Sequence, residues 1–272
     1  MPVLSTTAAF GFDADPARTL AAFAALGCAA AQFYRNPARP PSLGDARRIA
    51  ERAGMCFDAV HGVFGADIDP SSPDSAHRAH CLAIYREEAV VARELGAPRV
   101  IVHPAAYRPG GQPPAPEGRA RRRAALDEFA RRLAEEGERS GVRFLLENLP
   151  PGVAIGDEPD ELRDCVASIA SPCLRMCLDL GHAHLSGDAP ASIRSCAEVV
   201  DYLHIHDNDR RSDLHLFPAA RGGTIDWDAV GAALRQLRLG APRMLEVFAP
   251  IELIEGAASR GAAADLARWC AL

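Results

Sequence analysis

Six apolar runs in this 272-residue chain end on a side chain that can bind a metal or carry a proton. They are "FDAVH", "RVIVH", "FLLE", "MCLD", "LHIH" and "RMLE", which close on His61, His103, Glu147, Asp179, His206 and Glu246. One histidine at the end of such a run is usually a satisfied structural group. Three imidazoles and three carboxylates brought to one place would repel and desolvate one another unless a cation compensated them, so the set predicts a divalent metal. Imidazole mixed with carboxylate suits Zn, Mn, Fe or Co better than Ca.

Three more candidates follow the run ends closely. In "LDLGH", His182 stands three residues past Asp179, a spacing that a turn can fold onto one ion. In "SDLH", Asp213 and His215 flank one residue and would point the same way in extended chain. The stretch "DYLHIHDNDRRSDLH" (201 to 215) also holds His204, on the same face as His206 by the period of two. His206 is the expected ligand, with His204 one layer deeper as its support. His184 is a candidate supporting residue, whereas His77 and His80, at helical spacing, read as surface groups. Arg210 and Arg211 follow His206, and Arg211 is a candidate for a bidentate contact to an anionic substrate group.

These residues need elements that bring them together. Short apolar runs alternate with longer amphipathic segments in a βα rhythm. Strands are expected at 3–10, 29–34, 55–61, 99–103, 142–148, 174–180, 199–207 and 242–248. Helices are expected near 15–26, 43–53, 75–95, 119–140, 160–170, 189–196, 226–238 and 257–270. Eight such units predict a single α/β domain over residues 1–272, a closed (β/α)8 TIM barrel, with a doubly wound sheet as the alternative. In a parallel barrel both strand faces are buried, so polar strand ends would converge on the C-terminal mouth, where barrel enzymes place their chemistry. The stretch "PAAYRPGGQPPAPEG" (104–118) reads as a loop over one mouth.

Composition narrows the function. All thirty basic residues are arginine, which excludes a Schiff-base, pyridoxal or P-loop lysine. A net charge of −6 gives no general attraction to nucleic acid. The basic run "RARRR" (119–123) leads into interleaved acids and arginines, the pattern of a solvated helix face. Eight scattered cysteines without a C-x-x-C pair read as small buried hydrophobes. No apolar run reaches the roughly 18 residues of a membrane span, and the N-terminus shows no signal-peptide pattern. The expectation is a cytoplasmic protein with a small-molecule substrate and no nucleic-acid or membrane partner; homo-oligomerisation is left open.

The runs "HGVFGADIDPSS", "RVIVHP", "FLLENLP", "MCLDLGHAHLSGD", "LHIHDND", "SDLH", "GGTIDW" and "MLEV" together resemble the xylose isomerase-like barrel superfamily. It holds sugar and sugar-phosphate isomerases and epimerases as well as the endonuclease IV type of abasic-site nuclease. In the isomerase and epimerase branch the resemblance implies one divalent ion on Glu147, Asp179, His206 and Glu246. Glu147 and Glu246 then act as acid and base on a proton beside a carbonyl, through a metal-stabilised enediolate. In the nuclease branch it implies three zinc ions on His61, His103, Glu147, Asp179, His182, His206, Asp213, His215 and Glu246, and all nine positions here carry a competent ligand. The chain departs from the family in "LFPAARGGTIDW", which lacks the usual compact Pro-Gly turn, and it lacks basic, aromatic-bearing loops suited to bending DNA. The favoured expectation is a metal-dependent isomerase or epimerase of a small hydroxy-carbonyl sugar or derivative, using Zn or Mn, with one to three ions. The alternatives are a multi-zinc hydrolase, of phosphodiester or other bonds, and a binding protein without turnover.

Overall fold

The computed structural model describes residues 2–107 and 116–271. Eight parallel strands run in chain order: β1 (Leu4–Phe10), β2 (Ala30–Arg35), β3 (Cys56–His61), β4 (Arg99–Val102), β5 (Arg143–Glu147), β6 (Leu174–Asp179), β7 (Val200–Ile205) and β8 (Arg243–Leu245). Leu4, Ser5 and Thr6 of β1 pair with Arg243, Met244 and Leu245 of β8. That pairing closes the sheet and excludes the open, doubly wound alternative.

The crossovers carry α1 (Pro16–Ala24), α2 (Leu43–Arg52), α3 (Ser75–Leu95), α4 (Pro116–Ser140), α5 (Pro159–Ile169), α6 (Leu180–Ser186), α7 (Ala189–Cys196), α8 (Trp227–Leu237), α9 (Ile251–Ser259) and α10 (Ala262–Trp269). Asp15, Ser42, Asp74, Asp188 and Asp226 accept backbone N–H groups at the starts of α1, α2, α3, α7 and α8. Each such cap is worth about 1 kcal/mol. Among the described residues no helix is long and apolar enough to cross a membrane.

Three local expectations change. The single helix expected at 257–270 is two, because Gly261 turns left-handed at φ 81° between α9 and α10. The 104–118 loop gives way to α4 from Pro116, and its residues 108–115 lie outside those described. "LGHAHLS" forms the short helix α6 directly on the end of β6, where a turn was expected.

Interior packing explains how the strand ends are aimed. One buried cluster joins Ala59, Ile101, Leu145, Cys177, Tyr202 and Met244, one residue from each of β3 to β8. Five of them stand two residues before His61, His103, Glu147, Asp179 and Glu246, so the period of two sets the candidate ligands one layer above an apolar plug. On β7 the sequence Tyr202, His204, His206 spans three layers. Cys177 is in register with Tyr202 and Asp179 with His204, which leaves His206 one layer nearer the mouth.

Candidate active site

Glu147 is the hub of the mouth. It is 1 % exposed, and its Oε2 faces His61 Nε2 at 3.6 Å and His103 Nε2 at 3.3 Å. Its Oε1 lies 2.9 Å from His204 Nδ1, which also approaches Glu246 Oε2 at 3.1 Å and Asp179 Oδ2 at 3.7 Å. His204 Nε2 is held by Gln32 Oε1 at 3.0 Å. The deeper histidine is thus the floor of the carboxylate cluster, anchored from β2, in keeping with its place one layer down. On the other side of Asp179, His206 Nε2 meets both carboxylate oxygens, at 3.1 and 3.2 Å.

Asp213 joins the last histidines. Its Oδ2 lies 3.3 Å from His182 Nε2 and 3.2 Å from His215 Nε2, and its Oδ1 lies 4.0 Å from His206 Nε2. Asp213 and His215 do meet, but not through extended chain: His215 has φ 45°, and this left-handed step turns its ring back over the mouth. His182 likewise arrives on a helix rather than a turn, with its N–H donating to Asp179 Oδ1 at 2.7 Å as part of the α6 cap.

The rings are oriented from behind. His61 Nδ1 donates to Gly62 O at 2.9 Å, His182 Nδ1 to Asn148 O at 2.8 Å and His215 Nδ1 to Glu246 O at 2.9 Å. A carbonyl only accepts, so these contacts fix the protons on Nδ1 and turn each Nε2 inward, as metal-binding imidazoles require. Ligand atoms of three groups come within 4.8 Å of one another: His61, His103 and Glu147; Glu147, Asp179, His204 and Glu246; His182, His206, Asp213 and His215. Glu147 Oε2 and Asp213 Oδ1 are buried without a hydrogen-bond partner. Such orphaned oxygens beside inward-facing imidazole nitrogens fit a divalent cation.

Burial raises the carboxyl of Glu147, but the charge and hydrogen bond of His204, with the rings of His103 and His61 close by, win and hold it well below the usual range. Asp179 behaves alike, with His182 and His206 overcoming its burial. Burial also lowers His182, yet Asp179 and Asp213 outweigh it and lift the group to about 10. The metal-free protein therefore carries a proton on His182 at neutral pH. The stability from this pairing is full below the ordinary value of 6.5 and is lost as pH rises through about 10. Loading zinc near neutral pH is expected to expel that proton, so the calorimetric heat should vary with the buffer's ionisation enthalpy. A heat independent of buffer would show that His182 holds no ion.

Other residues that shape the site are quiet in the sequence. Asn148 clamps the backbone of Asp179 through Nδ2 to its O at 2.9 Å and Oδ1 from its N–H at 2.8 Å. Asp207 gathers the long 208–227 connection, accepting from Asn208, Ala219, Thr224 and Ile225 backbone N–H groups and from Trp227 Nε1 at 2.7 Å. Gly223 sits on that carboxylate so closely that a Cβ would lie 2.4 Å from it. His184 is tied to Thr224 Oγ1 at 2.8 Å, in the connection that Asp207 gathers. His80 is exposed and His77 half-buried on α3.

A cavity of about 280 Å³ opens over His61, His103, Glu147, His182, Asp213, His215 and Glu246. One wall is an aromatic column, Tyr34 on Phe64 at 6.1 Å and Phe64 on His103 at 4.3 Å between ring centres, with Phe12 stacked behind Tyr34 at 5.2 Å. The other is His215 and Phe248, 4.6 Å apart, with His206 stacked behind His215 at 3.9 Å. Arg211 is not among the lining residues: it is exposed, and its backbone N–H binds Asp209. Arg210 reaches Gly187 O instead. Tyr34 comes from the end of β2, whereas Phe12 and Phe64 come from connections with no periodicity of their own.

Comparison with known proteins follows this geometry. A sequence model described as xylose isomerase-like TIM barrel matches residues 20–271. An uncharacterized protein of Methanocaldococcus jannaschii is 28% identical over 162 residues, which are 58% of this chain and 53% of that protein, so the match spans about half the relative's length. A solved L-ribulose 3-epimerase is 23% identical with a TM-score of 0.77, covering 100% of this chain and 97% of that one. A 3-keto-D-glucoside 4-epimerase from E. coli is 14% identical with a TM-score of 0.75, covering 96% and 98%. At these identities the two structures establish likeness of fold.

Proposed function

The chain belongs to the xylose isomerase-like TIM barrel family, and on that premise we propose that it is a metal-dependent isomerase or epimerase of a small hydroxy-carbonyl sugar or sugar derivative. The observation that carries the reading is the pair of buried glutamates from the ends of β5 and β8, whose carboxylates converge on His204 Nδ1 at 2.9 and 3.1 Å under a cavity of small-molecule size. The epimerase names of the solved structures that share the fold lend it support.

Glu147, Asp179, His206 and Glu246 would hold one divalent ion, Zn or Mn. His61 and His103, and His182, Asp213 and His215, would hold further ions to a total of up to three. A bound ion supplies a Lewis acid for substrate oxygens and the positive charge that these carboxylates lack. Glu147 and Glu246 move the proton. One, as carboxylate, takes it from the carbon beside the carbonyl, and the other, protonated from solvent as substrate enters, gives its proton to the opposite face of that carbon, which inverts it; exchange with solvent then resets both. The apolar walls exclude water from the carbanionic state, while His204 and Gln32 keep the two carboxylates in place.

The three ligand groups also favour a second reading, a multi-zinc hydrolase, because multi-ion sites suit phosphoester displacement. The two are separated by incubating the metal-loaded protein with a panel of ketoses in deuterium oxide and following the α-carbon by NMR. Deuterium uptake that stops on chelation is expected. Three zinc ions per chain, phosphoester cleavage and no exchange from any ketose would overturn the epimerase reading.

A further inference from the structure

The mouth cavity does not stop at the ligands. Behind His215 and Phe248, which line it, a second cavity of about 570 Å³ opens between residues 216–221 and helices α9 and α10. Its walls include Phe217, Leu253, Ile254, Ala257 and Trp269. Its charged residues, Arg221, Arg260 and Asp265, are exposed and of mixed sign. Among the described residues no arginine lines the mouth cavity itself. Phe248 stands between the two spaces, 58% exposed yet fixed by its N–H to His215 O at 3.1 Å and by its ring against His215. Leu253 at the lip is 60% exposed.

A free sugar carries hydroxyls round its whole rim and is accommodated by the mouth cavity, so it has no use for an apolar groove about twice that volume. Exposed apolar surface that continues from a site marks a place where ligand is bound. We propose that the substrate is a sugar derivative whose hydroxy-carbonyl part is joined to an uncharged apolar group, aryl or similarly planar, that stacks on Phe248 and fills this groove. The inference rests on the reading of the mouth as the reacting site. The rigid Phe248 ring offers an offset or edge contact to an aromatic group without losing freedom of its own.

The test compares phenyl and methyl glycosides of the same keto-hexose, with a ketone on a ring carbon so that the glycosidic bond leaves a hydroxy-carbonyl intact, across a panel of configurations, by calorimetric titration of the metal-loaded full chain. The phenyl glycoside is expected to bind at least about tenfold more tightly, and Leu253→Asp should bring the ratio towards one. Because Leu253 is exposed, the variant should keep its melting temperature, which is measured alongside. A wild-type ratio near one, or a ratio that Leu253→Asp leaves intact, overturns the proposal. So does a variant that turns a dimer into a monomer without altering the ratio, since the groove would then be covered by a second copy. If neither glycoside binds while a free ketose exchanges deuterium, this inference fails alone; if no ketose exchanges either, the reading of the mouth fails with it.

Discussion

Glu147→Gln is expected to lower kcat/KM for deuterium exchange by about a thousandfold or more and to leave the protein with less metal after desalting. The amide has the same size but no charge, and a general acid or base alone contributes roughly 10²- to 10⁴-fold. Geometry adds to this. Glu147 faces His61 and His103 with one oxygen and His204 with the other, so it belongs to two of the three ligand groups. Loss of charge compensation should appear in metal analysis, and loss of proton transfer in exchange rates measured at saturating zinc. An enzyme within tenfold of wild type would remove Glu147 from the proposed chemistry.

Gly181→Ala carries the second large effect, and its sign runs against helix propensity. Residue 181 is in α6, where Ala is favoured over Gly by about 1 kcal/mol. An added Cβ, however, would lie 2.0 Å from Cε1 of His206 and 2.4 Å from both ring nitrogens. The ring has little room to retreat, because it is stacked on His215 with centres 3.9 Å apart and planes at 13°. Overpacking of this kind costs about 1–3 kcal/mol, so the clash outweighs the propensity gain and drives His206 off Asp179. The expected outcome is a lower melting temperature and metal affinity weakened at least about tenfold. A variant that melts higher and binds zinc as wild type does would mean that His206 is no ligand.

Much of this site is legible in the sequence, for a physical reason. Both faces of a parallel strand are buried, so a His or Glu closing an apolar run stands out, and the barrel decides where all such residues go. His61, His103, Glu147, Asp179, His206 and Glu246 are visible in this way; the structure groups all but His206 around Glu147, and sets His206 on the far side of Asp179 with His182, Asp213 and His215. His182 was visible as a spacing but not as a helix, since seven residues beginning on a capping aspartate show too little periodicity. His215 meets Asp213 from a left-handed backbone of its own, a conformation histidine adopts more readily than most residues but that the sequence does not announce. The break at Gly261 hid inside a run of good helix formers. Arg211 shows the limit of proximity along the chain: five residues past His206 it has already left the mouth. Asn148 and Asp207 act through backbone groups far along the chain, contacts that exist only once the barrel has closed.

The carboxylate of Asp179 serves two masters. One oxygen caps α6 by accepting the His182 N–H and is also 3.1 Å from the imidazole of His206. Whatever binds that carboxylate therefore also bears on the first turn of the next helix. If an ion sits there as proposed, loading it should be felt along α6, so the backbone order of 180–186 would serve as a reporter of occupancy.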